Sequence, residues 1–172
     1  NSVEMVLNYM FKLKHKKIGL LVGRNKVVEN LVDFRERYFK EIMIKNGLYR
    51  EEYLKIGDFS MESGYFMMKE ILKLEDKPTA VFCGNDSIAM GAYRAIREKK
   101  LKIPEDMSII GFNDLKLSQY FTPPLTTIKI DTKLIAQETV NSLIELVEGK
   151  RHYHKKVFLP IELIERESCQ KI

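Results

Sequence analysis

Apolar positions switch between two spacings along this chain. At Val3, Val6, Leu7, Met10, Phe11 and Leu13 they recur three and four residues apart, which predicts a helix over Val3–Leu13. A short apolar run, Lys17–Gly23, then reads as a buried strand with glycine at its exit. A second helical pattern covers Glu29–Asn46. It places Leu31, Phe34, Tyr38, Ile42 and Met43 on one face, and Gly47 is suited to terminate it. The alternation continues with a strand over Tyr53–Gly57, a helix over Met61–Leu74 that Ser60 can cap, and a strand over Thr79–Cys83. A helix over Asp86–Lys99 starts at Asn85 or Asp86, and a strand over Met107–Phe112 follows. Next come a helical turn near Leu115–Tyr120, a strand over Thr126–Ile130, and a helix over Thr132–Glu148 that Gly149 stops. Lys156–Pro160 and Glu162–Glu165 read as closing strands. Strands alternating with helices of this length imply βαβ units, hence an α/β fold with a largely parallel sheet.

Composition narrows the class without naming a function. Apolar content of 45% and charged content of 31% are ordinary for a globular domain. No apolar run is long enough to span a membrane, and no signal peptide is visible. Cys83 and Cys169 are too few for a disulfide framework and lack metal-ligand spacing, so reduced thiols in a cytoplasmic protein are expected. The chain opens on Asn1 rather than methionine, which suggests a processed product or a piece of a longer protein. Basic clusters at Lys12–Lys17 and Lys150–Lys156 contribute to a net charge of +5 and read as solvated surface. No G-x-G-x-x-G, P-loop or G-x-S-x-G pattern is present. His152 and His154 alternate as on a strand but have no third ligand nearby in sequence, so no metal site and no cofactor are expected.

In an open parallel sheet, ligands bind beyond the carboxyl ends of the strands. Here those ends carry Arg24-Asn25, Asp58-Phe59-Ser60, Asn85-Asp86 and Asn113-Asp114. Amides, carboxylates and guanidinium groups together supply the donors and acceptors that sugar hydroxyls need, and an aromatic ring such as Phe59 can cover a sugar's C–H face. The same side chains could instead cap helices and turns. Likewise Arg35, in V-D-F-R-E-R-Y-F-K, could be a solvated helix arginine paired with Glu29, Asp33 or Glu36.

Three blocks of sequence go further. They are P-T-A-V-F-C-G-N-D-S-I-A-M-G-A from Pro78, I-P-E-D-M-S-I-I-G-F-N-D from Ile103, and P-P-L-T-T-I from Pro123. At this spacing they resemble the LacI/GalR family of bacterial transcriptional regulators, and the likeness extends more loosely from about Leu13 to Ser168. The resemblance implies a periplasmic-binding-protein-like fold in which a small molecule, often a sugar, lies between two similar α/β subdomains. Arg35, Phe59, Asn85 and Asn113 are the implied effector contacts, with Asn25, Asp86 and Asp114 as further candidates. Tyr38 departs from the family glycine three residues after the arginine. Asn113 departs from the commoner aspartate, and its amide can donate as well as accept.

The resemblance also implies a homodimer joined through Met90, Tyr93, Arg94, Leu117 and Phe121. Operator DNA would be contacted only through an amino-terminal domain absent from this stretch. It further implies a division of the chain. Residues 1–15 would be a helix of a first subdomain, and 16–130 the second effector-binding subdomain. Residues 131–154 would cross back to the first subdomain, 155–168 return to the second, and 169–172 form a tail. The helices Val3–Lys14 and Thr132–Glu148 would then lack their own sheet and pack on each other or on a neighbouring chain. The expected function is effector sensing by a repressor without enzymatic activity. A sugar-binding protein of a transport system is the alternative.

Overall fold

The structure, a computed structural model, describes residues 1–24 and 33–172. In chain order the elements are α1 (Ser2–Lys12), β1 (Ile18–Gly23), α2 (Phe34–Lys45), β2 (Leu54–Gly57), α3 (Met61–Lys73), β3 (Ala80–Cys83) and α4 (Asp86–Glu98). They are followed by β4 (Ser108–Asn113), β5 (Thr126–Ile130), α5 (Thr132–Val147) and β6 (Ile161–Ile164). The six strands form one sheet in the order β2-β1-β3-β4-β5-β6. β1 to β5 are parallel, and β6 runs antiparallel beside β5, with Ile128 opposite Leu163. Every residue of β1 and of β3 is buried, as expected of central strands with helices on both faces.

Side chains leave the pleat alternately and divide the core in two. Leu20, Val22, Phe82, Ile110 and Ile128 point to a layer shared with α1 and α2. Leu21, Val81, Cys83 and Ile109 point to the opposite layer, formed by α3 and α4. The α3–α4 crossing is close because two glycines face backbone. A Cβ on Gly64 would come 2.2 Å from the Ile88 carbonyl oxygen, and one on Gly91 would come 1.9 Å from that of Met61.

Several boundaries and one assignment differ from the sequence pattern. Asp33 is extended and caps α2 through a bond from the Arg35 amide, so the described helix starts at Phe34. Glu29 and Leu31 lie outside the described residues. The buried face of α2 is Phe39 and Met43, whereas Phe34 is exposed. Lys156–Pro160 is not a strand: the segment has no pairing partner among the described residues, and Phe158 is exposed.

Helix α1 does not lack a sheet. Val3, Val6, Leu7 and Met10 are fully buried in the layer under β1 and β3, because the short link from Lys12 to Ile18 keeps the helix against its own strand. The tail closes over that link, since His15 bonds Thr79 and the Gln170 carbonyl, and the Ile172 amide bonds the Leu13 carbonyl. Helix α5, by contrast, buries no residue, and Ile135, Leu143 and Val147 stay exposed. No α5 residue belongs to the core that covers α1, so the two helices do not shield one another.

Candidate functional site

The strand order reverses direction between β1 and β3, which makes their carboxyl ends the topological switch point where open α/β sheets hold ligands. The first turn of α2 delivers Arg35 to this point. Its Nη1 donates to the Gly84 carbonyl at the exit of β3. Its Nε and Nη2 donate to the two oxygens of Asp33, each at 2.7 Å. Three rings frame the guanidinium: Phe34, Phe59 and Phe112 have centroids 5.1, 5.5 and 5.3 Å from its Cζ. Such a frame favours a cation over ring faces and leaves apolar walls for a ligand. Phe34 and Phe59 are partly exposed and Phe112 is buried, so the frame opens outward from the sheet. Burial alone would push the Asp33 carboxyl up, but the hydrogen bonds and charge of Arg35 outweigh it and hold Asp33 below its usual value.

Asn85 joins the same corner. Its Oδ1 accepts from the Ile88 amide at 2.7 Å and caps α4, while its Nδ2 donates to the Phe59 carbonyl at 3.0 Å. It therefore both starts the helix and holds the aromatic residue in place. Asn113 ends β4 directly after Phe112, at φ 111°, and Asp114 follows at φ 54°. Asparagine and aspartate tolerate this left-handed turn better than other non-glycine residues. Asp114 accepts from Arg166 at 2.7 Å, which ties the exit of β4 to the segment after β6. Asn25 lies outside the described residues.

Asp86 does not belong to this crevice. It is buried on the other side of the sheet, where the missing side chain of Gly111 makes room: a Cβ there would come 2.2 Å from its Oδ1. Its oxygens accept from the Thr127 hydroxyl at 2.7 Å, the Ser118 hydroxyl at 2.8 Å and the Leu115 amide at 2.7 Å. Burial pushes its carboxyl up, against the pull of those bonds. The residue locks the start of α4 to β5 and to the loop after β4.

The sequence names Asp33 among the possible partners of Arg35, and the structure selects it, whereas Phe34, Phe112 and the Gly84 carbonyl were missed as parts of the site. Phe34 and Phe112 each adjoin a named candidate, so proximity in sequence was the available signal.

The residues expected at a dimer contact lie elsewhere, on α4 and the turn before β5. Met90, Tyr93, Arg94 and Phe121 line an open groove of about 1100 Å³. Tyr93 and Phe121 pack edge to face at 5.0 Å, and the Tyr93 hydroxyl donates to the Pro123 carbonyl at 3.1 Å. Met90, Tyr93 and Phe121 are half-buried, whereas Arg94 and Leu117 are exposed. None of the five is in the filled core.

The fold and this sheet edge define a class, and the chain belongs to it: residues 7–169 match the family described as periplasmic binding protein-like domain. Within that class its relatives are regulators of the LacI/GalR type. The HTH-type transcriptional repressor PurR of Shigella sonnei is 38% identical over 167 residues, covering 95% of this chain and 48% of the relative. The lac repressor dimer bound to operator and the anti-inducer ONPF superposes with a TM-score of 0.88 at 30% identity, covering 98% of this chain and 58% of that one. A sugar-binding LacI-family regulator from Escherichia coli, complexed with phosphate, gives a TM-score of 0.86 at 25% identity, covering 99% and 61%. The chain thus spans about half the length of the curated relatives it matches. Among the described residues, no helix is long and apolar enough to cross a membrane.

Proposed function

We propose that this chain is the effector-binding part of a LacI/GalR-type transcriptional repressor, and that its effector is a small polar molecule of the sugar class. The observation that carries the reading is the Arg35 guanidinium at the β1–β3 switch point, framed by three phenyl rings. Arg35 donates to ligand oxygens, and Phe59 covers an apolar ring face. The Asn85 corner borders the same opening through its bond to the Phe59 carbonyl, and Asn113 is proposed as a further contact from the neighbouring exit of β4. That a LacI-family neighbour is a sugar-binding regulator supports the ligand class. The relatives' description as repressors favours regulation over transport and over catalysis.

The exposed apolar positions of α5 support a second part of the reading. The relatives are about twice as long, and residues 131–154 are where a second subdomain would pack across the ligand. The ligand then acts through its different affinity for the open and closed arrangements. DNA contact belongs to a separate domain. Two copies associate across a two-fold axis through Met90, Tyr93, Arg94, Leu117 and Phe121, a reading supported by exposed Leu117 and by the half-buried Met90, Tyr93 and Phe121.

A thermal-shift screen of neutral mono- and disaccharides tests the proposal. A stabilising sugar should lose its effect in Arg35→Ala, with affinity weakened by about 1.5–3 kcal/mol, typical of hydrogen bonds to a charged group. A sugar that stabilises both proteins equally removes Arg35 from the site.

A further inference from the structure

The arginine at the switch point is not a free cation. Asp33 takes its Nε and Nη2 face in the two-point geometry that a ligand carboxylate would otherwise occupy. Both partners are largely withdrawn from water, at 11% and 13% side-chain exposure, so solvent screens the pair little. The neighbouring arginines are matched in the same way. Arg24 donates to both oxygens of buried Glu36, and Arg166 pairs with Asp114. Asp58, at the exit of β2, adds a further carboxylate to this edge.

We propose that Asp33 is a resident counter-ion that neutralises Arg35 and makes this site reject anionic ligands while accepting uncharged polar ones. The inference rests on the effector-site reading above and assigns its selectivity to one residue. An incoming carboxylate meets a guanidinium whose two-point face is filled, and it must displace a carboxylate that is also fixed as the cap of α2. An uncharged hydroxyl or carbonyl oxygen can take a single remaining donor without evicting Asp33, because a guanidinium has five N–H groups. The rings of Phe34 and Phe59 then contact the ligand whatever its charge. Asp33 is a specificity residue in this account because it acts through Arg35.

The substitution Asp33→Asn separates charge from fold, since asparagine caps helices as well as aspartate does. Asp33→Ser serves the same purpose if the first variant is unstable. The probe is sodium benzoate, a carboxylate on an aromatic ring, titrated at constant ionic strength while backbone amide and Arg35 Nε–H resonances of the whole chain are followed. Asp33→Asn should bind benzoate at least roughly tenfold more tightly than the unaltered chain, the scale of one charge-assisted hydrogen bond. The shifts should centre on Arg35, Phe59 and Gly84. Adding Arg35→Gln to Asp33→Asn should abolish the gain. Equal benzoate affinity in the unaltered chain and in Asp33→Asn overturns the proposal, as does a gain that survives Arg35→Gln. If Asp33→Asn gains benzoate but no neutral sugar binds at Arg35 in the unaltered chain, the effector reading fails and the role of Asp33 stands. Sugar binding at Arg35 without any benzoate gain has the opposite meaning.

Discussion

Replacing Asp86 with alanine should destabilise the fold strongly without touching the ligand site. The side chain accepts from the Thr127 and Ser118 hydroxyls and from the Leu115 amide, all within 2.8 Å. Ser118 and Thr127 are fully buried, so water cannot replace the lost acceptor at these positions. Each stranded donor costs about 1–3 kcal/mol, but the hydroxyls can turn toward other acceptors and a buried charge is removed. We expect a net loss of about 3 kcal/mol, measured by equilibrium urea unfolding. Asp86→Asn should lose less, since its amide can donate to Thr127 while its oxygen keeps Leu115 and Ser118.

The same contact can be tested from the strand side. Gly111→Ala drives a Cβ to 2.2 Å from Asp86 Oδ1, so it should be costly in the unaltered chain and less so beside Asp86→Ala. A coupling of about 1 kcal/mol or more is expected in the double-mutant cycle. Strict additivity, or an Asp86→Ala variant as stable as its parent, would refute the reasoning. The pH dependence has a definite sign. The folded carboxyl titrates above its ordinary 3.8, so its contribution is largest below that value and falls as pH rises through the folded value. The stability advantage over Asp86→Asn should therefore shrink from acid toward neutral pH.

Other expectations follow from the packing. Gly91→Ala should lower stability by about 1–3 kcal/mol in urea unfolding, since overpacking against the Met61 carbonyl outweighs the better helix propensity of alanine. An increase in stability would contradict the close α3–α4 crossing. Burial lowers the His15 pKa, while its bond to the Gln170 carbonyl works the other way. Stability from a neutral His15 is complete above the ordinary 6.5 and is lost as pH falls below it, so acidification should lower the melting temperature more than it does in His15→Asn. Leu117→Arg should weaken self-association in sedimentation without lowering the melting temperature of the monomer. An unchanged association constant would exclude Leu117 from the contact.

Much of the architecture was legible because period-two and period-3.6 patterns report burial directly. β3, β5 and α3 fall where their apolar spacing and the cap at Ser60 put them. Phe158 is exposed and its segment pairs with no described strand, so apolar composition alone did not place it in the sheet. The resemblance implies that α1 lacks its own sheet, whereas the helix packs under β1 and β3; amphipathic spacing shows that a face is covered, not by what. Site geometry was legible only in part. Arg35, Phe59 and Asn85 meet as their positions at strand exits and a helix start suggested. Asp86 stands next to Asn85 in sequence yet faces the opposite layer, because the helix turn after the cap rotates it toward Gly111. That reversal depends on which strand lacks a side chain, and no local pattern around Asp86 contains it.

The most direct test of the central claim is to locate the bound effector. A neutral sugar that stabilises the chain in the thermal-shift screen should be titrated while amide and arginine side-chain resonances are recorded. Saturable shifts should centre on Arg35, Phe59, Gly84, Asn85 and Asn113, around the switch point between β1 and β3. Shifts centred instead on Tyr93, Arg94 and Phe121 in the α4 groove, with Arg35 unmoved, would contradict it.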